Sequence, residues 1–283
     1  MLYGQKLADP ALTRIRLNIV SHIMAETDDL NSRVAHVRAY AKAMVAGMWI
    51  MDQRRHMLKP FVDDAEIREA LARKFEGTYG AQAYNHMAPL LAQDLLRDLA
   101  RLYLDRNRKT GSYTNVFRKA SERNVHEALR EYFRTMPDRQ ERHHEFGEGI
   151  TPEEAAALEA EWLERDRVKY LKSFDEGWET VKKAAEELDS DPLTEKIKTF
   201  RDKNHAHLEM QPIGSDPGPV PVSELGIKIS DIFAFADKYE PALLELTRVT
   251  TGGLYAVKNF HEMHERCGNE MWRILSGLPV KNG

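Results

Sequence analysis

The sequence contains a single cysteine, Cys267, among its 283 residues. One cysteine excludes an internal disulfide framework and any zinc or iron–sulfur site built from several thiolates. The longest strongly apolar run, residues 43–51, is far shorter than the roughly 20 residues that span a bilayer. The first ten residues show neither the basic nor the apolar region of a secretory signal. We therefore expect a cytoplasmic protein that does not interact with membranes.

Sequence motifs for nucleotide binding and hydrolysis are also missing. There is no P-loop, no Rossmann glycine fingerprint and no Gly-x-Ser-x-Gly nucleophile turn. His261 and His264 are three residues apart, whereas zinc proteases place two histidines four residues apart on one helix. We interpret His261, His264 and Cys267 as a polar, solvent-exposed helix end. No cofactor and no metal site are expected.

Helical periodicity dominates the sequence, and strand patterns are nearly absent. Helices are expected to start at Asp9-Pro10, Ser112, Asp191-Pro192 and Thr151-Pro152-Glu153-Glu154, the last of which is a capping box. Gly252-Gly253 is expected to end or bend a helix. Proline and glycine predict a loop at 211–222. An apolar stripe on the long helix after Thr151 has the spacing of a coiled-coil contact; we call it the 171–188 stripe (Leu171, Phe174, Trp178, Val181, Ala185, Leu188). The predicted fold class is all-α, with about eight or nine helices over 10–26, 29–57, 63–75, 81–105, 112–133, 151–188, 191–200, 230–251 and the C-terminal region.

Charge is unevenly distributed along the chain. The net charge is −4 and the pI is about 6.3, which argues against indiscriminate binding to polyanions. Residues 106–142 nevertheless contain ten Lys/Arg against five Asp/Glu, and residues 145–191 contain six against fifteen. Two interpretations stay open: two solvated helix faces, or an anion-facing segment beside an acidic one.

Residues 200–209 hold the densest set of reactive side chains. Phe200 ends an apolar stripe, and cationic, anionic, amide and imidazole groups follow it: Arg201, Asp202, Lys203, Asn204, His205 and His207. A histidine can take a proton from a ribose 2′-hydroxyl, and an arginine can bind the phosphate and its developing charge. The 2′-hydroxyl is an internal nucleophile, so such a set needs no metal to cleave RNA. An ordinary polar network on a helix surface is the alternative.

This segment resembles the motif of the HEPN superfamily of α-helical proteins, an arginine followed by a polar residue and, a short stretch later, by a histidine. Arg201, Asp202 and His207 match it. Residues 96–105 and the helix start at 229–233 are similar to the U-type abortive-infection, or phage-resistance, branch of that superfamily. The resemblance covers residues 78–260. It implies a helical bundle of HEPN type at 77–283, with an extra N-terminal helical extension at 1–76.

The resemblance also implies a function. Two motifs would face each other in a homodimer and form one site that cleaves RNA without a metal, leaving 2′,3′-cyclic phosphate ends. His207 would act as general base or acid, and Arg201 would stabilise the phosphorane. Asp202 and Asn204 would orient them, and the 171–188 stripe would lie either inside the bundle or in the dimer interface. Phage defence and toxin–antitoxin systems are typical of the family, so an antitoxin protein joins RNA among the expected partners.

The spacing of the motif leaves a choice of histidine. On a regular helix Arg201 and His207 lie about 120° apart around the axis, whereas Arg201 and His205 lie only about 40° apart. Either the helix is irregular here, or the two residues serve different parts of a two-chain site, or His205 shares the role. Two non-catalytic functions also stay open: an RNA- or nucleotide-binding module, and a protein-interaction module such as an immunity factor.

Overall fold

Nine α-helices make up the part of the chain that the structure describes. The structure is a computed structural model, and it describes residues 10–141, 149–203 and 222–280. No strand occurs in these ranges, so the predicted all-α class is confirmed. The helices are α1 (Pro10–Asp63), α2 (Ala65–Phe75), α3 (Gly80–Leu99), α4 (Tyr113–Ala120), α5 (Arg123–Arg134), α6 (Pro152–Ser190), α7 (Pro192–Arg201), α8 (Ile229–Thr251) and α9 (Lys258–Ser276).

Helix α1 is a single helix of 54 residues, where the sequence predicted two. The expected break between residues 26 and 29 contains neither glycine nor proline, and Asp28 and Asp29 lie on the exposed face. Weak local propensity is readily overridden when the opposite face of a helix is buried. Pro60 lies inside the last turn. Proline has no backbone N–H to donate, so one hydrogen bond of the helix is lost at this position, and the helix ends shortly afterwards, at Asp63.

The predicted helix over 112–133 is likewise two helices. Ser112 caps α4 as expected, accepting a hydrogen bond from the Asn115 N–H at 3.3 Å. The chain then turns at Ser121, whose hydroxyl donates to the Phe117 carbonyl at 2.8 Å. A side chain that bonds to the backbone four residues back competes with the regular helix. Helix α5 begins two residues later.

One hydrophobic cluster holds most of the bundle together. It contains the buried faces of α1, α3, α4, α5, α6, α7 and α8. Phe174, Val181 and Leu188 from the 171–188 stripe are almost completely buried in it, and the Phe174 ring lies 5.2 Å from the ring of Phe133 in α5. The stripe is therefore a contact inside the bundle, which decides between its two predicted locations.

A second, smaller cluster joins α2 and α9 to the end of α1. It consists of Phe61, Ile67, Leu71 and Trp272, and the Trp272 indole N–H donates to the Met57 carbonyl at 2.6 Å. Helix α9 thereby lies along the C-terminal half of α1. Among the described residues, no helix is long and apolar enough to cross a membrane.

The division of the chain at residue 76, into an N-terminal extension and a HEPN-type bundle, stays a prediction. Helix α1, which falls in the segment predicted as an extension, contributes Val37, Ala41, Met44 and Met48 to the main cluster. These side chains lie among those of α8 and α3. The N-terminal segment therefore forms part of the same packed core as the helices that follow it.

Candidate functional site

Helix α7 carries the start of the predicted motif, and hydrogen bonds to its N-cap residue fix its N-terminal end. The N-cap Asp191 accepts a hydrogen bond from the Leu193 N–H at 2.9 Å, as the Asp-Pro start predicted. The same carboxylate accepts from the Tyr239 hydroxyl at 2.9 Å and from Lys238 Nζ at 3.0 Å, both in α8. Burial raises the pKa of Asp191, but these three bonds outweigh it and hold that pKa below its usual range. Helix α7 is thus anchored to α8.

The motif arginine lies at the end of α7, where the helix changes its geometry. Phe200 is completely buried, and the Arg201 side chain that follows is 30% exposed. Arg201 Nε donates to Asp202 Oδ1 at 2.7 Å. Asp202 and Lys203 continue as a π-helical turn, a feature that is frequent at functional sites. A guanidinium held by its neighbouring carboxylate therefore lies at the surface of the bundle.

The remaining motif residues, Asn204, His205 and His207, lie outside the described residues. The structure brings Arg201 and Asp202 together and says nothing of the imidazole that would act with them. Asp202 and Lys203, the last described residues before this gap, are already π-helical rather than α-helical. The choice between His205 and His207 stays open.

The basic and acidic segments of the sequence pair with each other. Arg130 in α5 makes two parallel bonds to the Asp175 carboxylate in α6, at 2.7 and 2.8 Å. Arg106 reaches Asp189 near the end of α6 at 2.6 Å. The Arg130–Asp175 pair lowers the pKa of Asp175 and raises that of Arg130. Part of the charge contrast in the sequence therefore holds α5 and α6 together.

A polar cluster that the sequence analysis missed lies between α1, α8 and α9. We call it the Asp52 cluster; its members are Asp52, His56, Glu240, His261 and His264. Asp52, His56 and His264 are 1%, 6% and 9% exposed. The expectation that His261 and His264 lie on a solvated helix end is therefore wrong, because α9 turns this face onto α1. Cys267, on the same helix, is exposed as expected.

Asp52 is the centre of this cluster. Its Oδ2 atom lies 2.7 Å from His264 Nδ1, and its Oδ1 atom lies 2.8 Å from His261 Nδ1 and 3.4 Å from His56 Nε2. Burial raises the pKa of Asp52, but the surrounding imidazoles outweigh it and hold that pKa well below its usual range. Burial lowers the pKa of His261, and the carboxylates of Glu240 and Asp52 reverse this, so it is raised.

A family model described as HEPN_AbiU2 (AbiU2) matches residues 17–271. The chain belongs to the AbiU2 family of HEPN proteins. No curated protein and no solved structure matches the chain. The match begins within α1 and ends within α9, so it includes the motif segment and every residue of the Asp52 cluster. The resemblance to an abortive-infection branch of the HEPN superfamily is confirmed, and the AbiU2 match extends well beyond the 78–260 on which that resemblance was based.

A sequence signal for the Asp52 cluster exists in α1 of this AbiU2 protein. Asp52 and His56 continue the every-fourth-residue stripe of Met44 and Met48, which are buried. Ionisable residues on the apolar face of a helix must find partners inside the protein. The stripe predicts that α1 meets a polar surface near residue 52. It does not identify His261 as the partner, because more than 200 residues separate them.

Proposed function

We propose that the protein is a metal-independent ribonuclease that cleaves RNA at a site built around Arg201 and His207. The observation that supports this most is the placement of Arg201 in a HEPN chain. Its side chain follows the buried Phe200, is held by Asp202 at 2.7 Å and is partly exposed. A guanidinium fixed in this way can bind two phosphate oxygens at once.

The proposed chemistry uses only side chains of the motif. His207 takes the proton of the ribose 2′-hydroxyl, and the 2′-oxygen attacks the adjacent phosphorus. Arg201 balances the extra charge of the phosphorane. The bond to the 5′-oxygen then breaks, and that oxygen takes up a proton from an imidazolium. The products are a 2′,3′-cyclic phosphate and a 5′-hydroxyl, with His205 as the second candidate for either proton transfer.

A second copy of the chain would complete the site. In this proposal two motifs face each other in a homodimer, so that one imidazole removes a proton and the other supplies one. An antitoxin protein would act by covering this face. The basic turn at Arg108 and Lys109, both exposed, is a route for the RNA backbone, and binding through it would weaken steeply with added salt.

The experiment compares RNA cleavage by wild type and variants in excess EDTA, with the product ends mapped. We expect cyclic phosphate ends from the wild type and none from Arg201→Ala or His207→Ala. Matched controls are Arg73→Ala and His86→Ala, which replace exposed residues on α2 and α3 and should cleave like the wild type. Equal cleavage by all five proteins would refute the assignment. RNA binding without any product would instead support a non-catalytic binding module.

A further inference from the structure

Three side chains of the Asp52 cluster point donor atoms into one small space. One ligand atom each from Asp52, His56 and His261 lies within 4.8 Å of the other two. Ligand atoms bound tetrahedrally to one ion at about 2.1 Å are about 3.4 Å apart. No pair therefore has to close by more than about 1.4 Å to share an ion. Side-chain rotation alone can supply such a movement.

Two of these polar atoms lack a hydrogen bond. Asp52 Oδ1 and His56 Nδ1 are buried and have no hydrogen-bond partner among the described residues. Although His261 Nδ1 lies 2.8 Å from Asp52 Oδ1, it is not aligned as a donor. Buried polar atoms without a partner are rare in folded proteins and call for an explanation. A cation bound to Asp52 Oδ1 would give this buried oxygen a partner.

The other two members of the cluster orient the first three. Glu240 Oε1 lies 2.8 Å from His261 Nε2, so this carboxylate can accept the Nε2 proton and leave the Nδ1 lone pair available to bind an ion. His264 Nδ1, 2.7 Å from Asp52 Oδ2, fixes the plane of the central carboxylate. Metal-bound imidazoles and carboxylates are typically held by outer partners of this kind.

We propose that Asp52, His56 and His261 bind a divalent transition-metal ion, with Glu240 and His264 as the outer residues that orient them. Two imidazoles and one carboxylate form a donor set used for zinc, and also for iron and manganese. Three protein ligands leave at least one coordination position open. The His261 side chain is 30% exposed, so an ion and its water can reach the site from that side. The proposal does not depend on the RNA-cleaving site.

The test is zinc binding by the full-length chain after treatment with EDTA and removal of the chelator. Isothermal titration should show one Zn²⁺ per chain for the wild type. His56→Gln and His261→Gln should weaken binding by more than the roughly 10- to 100-fold that changes in outer residues produce. Glu240→Gln, an outer residue, should fall within that range. Circular dichroism confirms that each variant is folded.

Two controls separate this site from other histidines. His126 packs against Trp178, with ring centroids 4.5 Å apart, and His126→Gln should keep wild-type zinc affinity. His207→Ala should also keep it, and this outcome is independent of whether the chain cleaves RNA. Unchanged zinc affinity in folded His56→Gln and His261→Gln would overturn the proposal.

Cobalt provides a measurement that needs no variant. Co²⁺ bound by nitrogen and oxygen ligands in the wild type should give visible absorption bands without a sulfur charge-transfer band. A sulfur band would assign the ion to Cys267, and the absence of any bound Zn²⁺ or Co²⁺ would mean that protons alone neutralise the Asp52 cluster. Either result would overturn the proposal.

Discussion

Replacing Gly268 by alanine tests how closely α1 and α9 approach. Gly268 is buried in α9 and lies against the backbone of His56 in α1. Within a regular helix the His56 carbonyl would accept the N–H of residue 60, but residue 60 is proline and has none. An alanine Cβ at position 268 would lie 2.8 Å from the His56 carbonyl carbon and closer still to its oxygen.

The size of the effect follows from this distance. Nonbonded carbon atoms rest about 3.5–4.0 Å apart, so the contact with the carbon alone requires the two helices to separate by at least about 0.7–1.2 Å. Overpacking costs about 1–3 kcal/mol, and a clash with backbone belongs at the upper end because backbone cannot rotate away. Replacing glycine by alanine inside a helix also stabilises the helix by about 1 kcal/mol, which offsets part of this cost. We expect Gly268→Ala to lower the free energy of unfolding by about 2 kcal/mol.

The assay is urea unfolding followed by circular dichroism, with Gly47→Ala as the matched control. Gly47 also lies within a helix, α1, but its added Cβ would meet only the flexible end of Leu102 at 3.4 Å, an ordinary contact. This control should be unchanged or more stable by up to about 1 kcal/mol. If Gly268→Ala proved as stable as Gly47→Ala, the close approach of α1 and α9 would be refuted.

Two further predictions concern the ends of α7 and α9. Asp191→Ala should lower the free energy of unfolding by about 1–3 kcal/mol in urea, because it removes a helix cap and two side-chain bonds; Asp191→Asn keeps a capping oxygen and should lose less. Since the pKa of Asp191 is depressed on folding, its contribution is complete above about pH 4 and is lost on acidification. Melting curves against pH should therefore fall more steeply for wild type than for Asp191→Asn. Trp272→Phe, which removes the indole N–H that donates to the Met57 carbonyl, should cost about 1–2 kcal/mol in the same urea assay.

Features set by local chemistry could be predicted from the sequence. The capping box at Thr151 is present, with the Thr151 N–H donating to Glu154 at 2.9 Å. The Asp-Pro start of α7 and the end of α8 before Gly252 are likewise where they were expected, and the structure adds that Gly252 is left-handed. Each depends on residues a few positions apart, so a short stretch of sequence contains all the information needed.

Features set by distant contacts could not be predicted. From Leu30 onward α1 is covered by other helices, and no pattern near residue 28 reveals them. The Asp52 cluster depends on α9 packing against α1, with Gly268 permitting the approach. His261 and His264 were therefore interpreted as an exposed helix end, because Asp52, the carboxylate that they contact, is more than 200 residues away in the sequence. Of the motif, only the contact between Arg201 and Asp202 falls in the described residues.

Three consecutive residues of α8 connect the two sites physically. Lys238 and Tyr239 bond to Asp191, the cap of the helix that ends in Arg201, while Glu240 reaches His261. A helix cannot shift the backbone of one of these residues without its neighbours, so a backbone movement at Glu240 on metal binding would be passed to α7. The two chemistries are nevertheless separable, because the proposed RNA cleavage requires no metal and the proposed ion requires no RNA. Cleavage in EDTA that changed on adding Zn²⁺ to wild type, but not to His261→Gln, would show that α8 couples them.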